Sequence, residues 1–208
     1  MTGNPYDAAR ITLLEFDASV RAWPGMYFRY GQGDPRLPTA VLSAVAGHVL
    51  HPATAVAPAH SLSALVEITG DLAFTVTFDE PHTWEGRQGP AAGYFGALLG
   101  PEWRYPAAAA ALSTRTVVEM WCGGRGFRQE LRGIRPRSAP REFAAPAGSG
   151  TRWEFVLDTE YFAPGAALAA EPGRLDPCGP ECAEPAGPGH VLVRVLRDGG
   201  RETRLPKI

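Results

Sequence analysis

The sequence predicts an α+β fold, a two-layer sandwich with helices on one face of a mixed, mostly antiparallel sheet. Three observations predict it. Apolar residues recur at helical spacing near the front of the chain and then switch to strict alternation. The alternating runs come in pairs joined by Gly-containing turns, which is the pattern of antiparallel hairpins. The chain has 208 residues, 45% of them hydrophobic, enough to bury one sizeable core in a single domain spanning residues 1–208.

The elements follow in order. Ile11, Leu14, Val20 and Trp23 give the segment Tyr6 to Trp23 a helical period, and Pro24-Gly25 stops it. Leu37 to His51 is a second helix. Pro38 suits its first turn, Pro52 ends it, and Leu42, Val45 and Val49 mark its core face. Val66 and Ile68, then Phe74, Val76 and Phe78, alternate on either side of Gly70-Asp71 and predict a hairpin. Pro81 to Pro106 is rich in Gly, Pro and aromatic residues and reads as a loop, followed by a short alanine helix. Thr114 to Gly133 forms a second hairpin around Gly123-Gly124, and Thr151 to Asp158 another strand. Residues 163–189 are Pro-rich and irregular, and "HVLVRVLRDGGRETRL" closes the chain with a strand and its hairpin partner.

Composition narrows the function classes. The net charge is −2, and no basic run points to nucleic acid. Arg125, Arg128, Arg132, Arg135, Arg137 and Arg141 are spread across a hairpin and read as a solvated face. Three cysteines do not make a disulfide framework. Cys178 and Cys182 in "CGPEC", with His190 and Cys122, are zinc-ligand types, but the spacing is permissive and the partners are distant. The segment therefore reads as a Pro/Gly loop with incidental thiols, and no metal is expected. No secretory signal and no window near the ~20 apolar residues of a membrane span is present, so a cytoplasmic chain without membrane contact is expected.

The segment "VRAWPGMY" resembles the "VRxRPGMY" stretch of type II topoisomerase ATPase domains, the gyrase B group of the GHKL superfamily. The likeness continues in order. Leu37 to Pro52 falls where that family carries its nucleotide-binding helix, and "LVEITGDLAFTVTFDEP" resembles its next strand pair. "ALSTRTVVEMWCGGRGFRQELRGIRPRSAP" resembles a later hairpin, "GSGTRWEF" the "xTGTxVxF" strand, and "HVLVRVLRDGGRET" the closing strands. The resemblance implies a gyrase B-like fold. It also locates what has changed. The family's water-activating Glu aligns with Ser43 and its magnesium-binding Asn with Gly47, and neither can replace its counterpart. The adenine-holding Asp aligns with Phe78, or with Asp79 after a one-residue slip, and Pro81 and His82 stand where the family has flexible glycines. The phosphate lid gives way to "AAGYFGALLGPEWRYP", without the closely spaced glycines a triphosphate needs. Thr151 keeps the Gly-Thr position, and residues 163–189 replace a family helix. The family dimerises through an arm before its first helix, and few residues precede Tyr6, so gyrase-like dimerisation is not expected.

These replacements run from polar to apolar. Ser43, Gly47, Val76, Phe78, Tyr94, Trp103, Thr151 and Trp153 would line a pocket for a small apolar organic molecule. Asp79 and His51 are the candidate acid/base residues, with Glu80, His82, Glu102 and Arg104 nearby in sequence. The expectation is a GHKL-like domain that does not hydrolyse ATP. It would use no cofactor and carry out acid/base cyclisation, isomerisation or dehydration in specialised metabolism. The alternatives are a non-catalytic pseudo-ATPase that binds a ligand, in resistance for example, and a gyrase mimic. Phe78 and Trp153 packed tightly on each other without a cavity would speak against the enzyme.

Overall fold

The computed structural model describes residues 14–50, 62–79, 98–99, 104–171, 189–197 and 201–205. Within them lie helices α1 (Phe16–Ala22), α2 (Gly25–Phe28), α3 (Leu37–Leu50) and α4 (Arg104–Ala111). The strands are β1 (Leu62–Gly70), β2 (Ala73–Phe78), β3 (Ser113–Cys122), β4 (Arg125–Arg132), β5 (Arg135–Pro136), β6 (Arg141–Ala144), β7 (Ser149–Leu157), β8 (Gly189–Val195) and β9 (Arg201–Leu205). All nine join one sheet in the order β5-β4-β3-β7-β2-β1-β8-β9, with β6 also on β4. Every pairing is antiparallel except β1 with β8, so the sheet is mixed and mostly antiparallel. α3 lies over β1, β2 and β8, and α4 over β3 and β7. The two-layer α+β architecture is the one the periodicities predict.

The alternation decides which residues face the helices. Val66, Ile68, Phe74, Val76, Phe78, Trp153, Phe155, Val191 and Val193 are buried, and so is the core face of α3, from Val41 and Leu42 to Val45, Ala46 and Val49. α4 differs. Its run Ala107 to Ala111 is buried on every side, because the helix touches α1 and α3 as well as the sheet. Side chains of one carbon let it sit in that space.

The opposite face of the sheet carries charge. Glu119 stands in register between Arg128 on β4 and Arg152 on β7 and pairs with both. Arg115 bridges Glu130 and Glu154, and Arg137 also reaches Glu130. Among the six arginines that read as a basic stretch, Arg125 pairs with Glu142 and Arg135 with Asp17. With Arg128 and Arg137 this makes four of the six neutralised by carboxylates.

Several boundaries differ from those the sequence predicts. The leading helix is helical from Phe16 to Ala22, and residues 1–13 lie outside the described residues. Pro24-Gly25 stops α1 but also starts α2, since the Pro24 carbonyl accepts hydrogen bonds from the Tyr27 and Phe28 amides. Proline needs no amide donor there and its φ of −61° is already helical. α4 begins at Arg104 and takes Pro106 into its first turn, where no intrahelical amide bond is lost. β5 and β6 are too short to show a period, and the parallel β1–β8 pair joins segments far apart in sequence. Of the Pro-rich segment 163–189, residues 163–171 carry no helix or strand, 172–188 lie outside the described residues, and Gly189 opens β8 rather than ending an irregular stretch. Among the described residues no helix is long and apolar enough to cross a membrane.

Candidate functional site

The β2–β7 pairing assembles four of the predicted lining residues. Phe78 stands opposite Thr151, and Val76 opposite Trp153. All four side chains point toward the helical layer and are buried, Trp153 at 1% exposure and Phe78 at 3%. The Phe78 and Trp153 rings pack with centroids 4.6 Å apart and planes tilted by 52°. Thr151 also faces Met120 on β3, so its hydroxyl sits in an apolar wall. Ser43 and Gly47 lie one turn apart on α3, Ser43 half-buried and Gly47 buried. Tyr94 and Trp103 lie outside the described residues.

The acid/base candidates fare differently. Asp79 follows the last residue of β2 and is exposed. Its Oδ1 accepts a hydrogen bond from the Ser63 amide at 2.6 Å, tying together the open end of the β1–β2 hairpin. That bond gives Asp79 a structural task the sequence did not suggest, because Ser63 is 16 residues away. His51 lies outside the described residues, as do Glu80, His82 and Glu102. Arg104 opens α4 and places its guanidinium 5.8 Å from the ring centres of both Tyr27 and Tyr105. His48, which sequence reasoning passed over, packs edge-on against Tyr105 at 5.8 Å and joins α3 to α4. Its signal was its place directly after Gly47 on the helix.

The two zinc-ligand types among the described residues stand far apart. Cys122 ends β3 and His190 lies in β8, with β7, β2 and β1 between them. Strands sit about 4.8 Å apart, so the two cannot share one ion. Cys178 and Cys182 lie outside the described residues. Among the described residues no group of three or more His, Cys, Asp and Glu side chains is placed to hold a metal.

The described part of the predicted site is thus an apolar wall of β2 and β7 with one threonine hydroxyl, and Ser43 and Gly47 stand on α3, the helix packed over β2. No protein-family model matches this chain, and no curated protein matches it.

Proposed function

We propose that this chain is a ligand-binding domain on a gyrase B-like GHKL frame, one that does not hydrolyse ATP and takes a small apolar organic molecule instead. The observation that carries this reading is the Phe78–Trp153 pair, packed at 4.6 Å where the resemblance puts the adenine contact. Two buried rings offer a base no carboxylate to hydrogen-bond, and they fill space that a nucleotide would need. Ser43 and Gly47 supply neither a water-activating base nor a magnesium ligand on the facing helix. Binding is preferred to acid/base catalysis for two reasons. The Phe78 and Trp153 rings are packed on each other, and Asp79 is engaged by the Ser63 amide. The ligand would lie against α3 at Ser43 and Gly47, the first half-buried and the second buried.

The test is native mass spectrometry of the purified chain together with an ATPase assay in magnesium. The expected result is a retained apolar small molecule and no phosphate release above a heat-killed control. ATP turnover sinks the proposal. Conversion of the retained molecule, lost in Asp79→Ala, overturns binding in favour of the enzyme.

A further inference from the structure

One long polar side chain stands where the sheet faces the core. Gln129 on β4 is 2% exposed, and register puts it on the same face as Val118 on β3, Trp153 on β7 and Val76 on β2. Its strand lies two spacings from that of Trp153, about 10 Å. Both ends of its amide are taken by backbone. Oε1 accepts a hydrogen bond from the buried Leu98 amide at 2.7 Å, and Nε2 donates to the Ser138 carbonyl at 2.8 Å. Leu98 and Leu99 belong to no helix or strand, yet both are buried in the cluster that holds Phe78 and Trp153. A buried backbone amide outside regular structure needs a partner, and here a side chain 31 positions later supplies it.

We propose that Gln129 is the positioning residue of the ligand site, holding Leu98 and Leu99 as the wall on its β4 side. This role rests on the ligand-binding reading above and names the residue that sets the shape of that site. Leu98 lies four positions after Tyr94 and five before Trp103, two of the predicted lining residues. The Gln129 bond is therefore a fixed point in the stretch of chain that carries them. An apolar side chain of similar size would fill the core at least as well, but it would leave the Leu98 amide and the Ser138 carbonyl without this partner. The two bonds explain the residue type. What they hold is neither strand nor helix but two leucines packed into the core beside the apolar wall.

Nile red, a neutral apolar dye, is the probe, and its dissociation rate from the full chain is read by stopped flow in buffer without denaturant. Gln129→Leu loses both bonds, so the dye leaves at least about tenfold faster. Gln129→Glu adds a titration. Its carboxyl, when protonated, accepts from the Leu98 amide and donates to the Ser138 carbonyl as glutamine does; when ionised it can only accept. The side chains next to it on that face, Val118, Phe127 and Leu131, carry no titrating group. Burial pushes the new carboxyl up, so the rate returns toward that of the wild type as pH falls from about 8 to about 5. The wild type and Gln129→Leu show no such recovery. Lost stability alone would lower the urea midpoint of both variants without giving a rate that follows one carboxyl. A wild-type rate in Gln129→Leu, or a Gln129→Glu rate that ignores pH, overturns the role of Gln129 and leaves the ligand reading standing. A wild type that binds no dye overturns both.

Discussion

Trp121 and Phe143 lie flat on the outer face of the sheet because glycines leave them room. A Cβ at Gly150 would come within 2.5 Å of the Trp121 ring and 2.7 Å of the Phe78 carbonyl oxygen. A Cβ at Gly126 would come within 2.6 Å of the Phe143 ring. At Gly150 one of the obstructing atoms is backbone, which cannot swing aside. Gly150→Ala is therefore expected to cost about 2 kcal/mol by overpacking, read as a lower urea midpoint at unchanged slope. An unchanged midpoint would show that Trp121 relaxes freely. Neither requirement is legible in the sequence, where nothing next to Gly150 names the ring it must clear. Its neighbour Trp121 lies 29 positions earlier and meets it only through the β3–β7 pairing. Phe78 and Trp153 show the opposite case. Their burial follows from alternation alone, but their mutual contact requires the β2–β7 register. The same holds for Asp79, whose residue type suggested acid/base work and whose fold position supplies a hydrogen-bond partner instead.

At the scale of elements, α4 and the Pro24 corner carry the lesson. The sequence "AAAAALS" identifies a helix by propensity, yet nothing in it says that the helix is enclosed by α1, α3, β3 and β7. Enclosure explains why alanine occupies every position from Ala107 to Ala111. Ala108 has 0% exposure, so Ala108→Leu must displace neighbours, at an expected cost of about 2 kcal/mol in chemical unfolding. The same substitution on an exposed helix would be neutral or slightly favourable by propensity, so the sign of the effect reports enclosure. Pro24-Gly25 shows how a correct local signal becomes incomplete. The pair does end one helix, but the Pro24 carbonyl caps the next, which only the geometry of the corner reveals. The hairpins β1–β2 and β3–β4 were legible because each is closed by its own turn, and β8–β9 because a Gly-Gly pair separates its two runs in the sequence. The β1–β8 pair was not, because parallel neighbours leave no local mark.

On the scale of the whole molecule, one cluster ties the leading helix to the segment that follows β7. The Arg21 guanidinium binds the Asp158 carboxylate at 2.7 Å and lies 4.6 Å from the centre of the Tyr161 ring. The Tyr161 hydroxyl returns a 2.7 Å hydrogen bond to the Arg21 carbonyl, and Gln32 donates to the Tyr161 carbonyl. Burial pushes the Tyr161 phenol above its ordinary value of 10.0, outweighing the pull of the Arg21 charge. The unfolded chain therefore loses this proton at lower pH than the folded one. The phenol's contribution is fully present below pH 10.0 and is lost as pH rises through the raised value. Tyr161→Phe is expected to cost about 1 kcal/mol at neutral pH through the lost hydrogen bond. The gap between variant and wild type should narrow in alkali, because phenylalanine has no proton to lose. A gap that stays constant in urea unfolding across that range would show that Tyr161 does not titrate with folding.

The sequence by itself determined the layers of this protein. Period and turn chemistry are local properties of the chain, so the helix at α3, three hairpins and the buried side of the alternating strands β1 and β2 could be read before any contact was known. It also determined that Ser43 and Gly47 bring neither a carboxylate base nor a metal-ligating side chain to α3, since side-chain chemistry needs no fold to be judged. Only the tertiary structure decided what stands next to what. It packed Phe78 on Trp153, attached Asp79 to Ser63, enclosed α4, kept Cys122 apart from His190, and placed β9 at the sheet edge. These are relations between residues distant in the chain. They depend on strand order and register, which the burial of a shared core settles and which no single segment encodes.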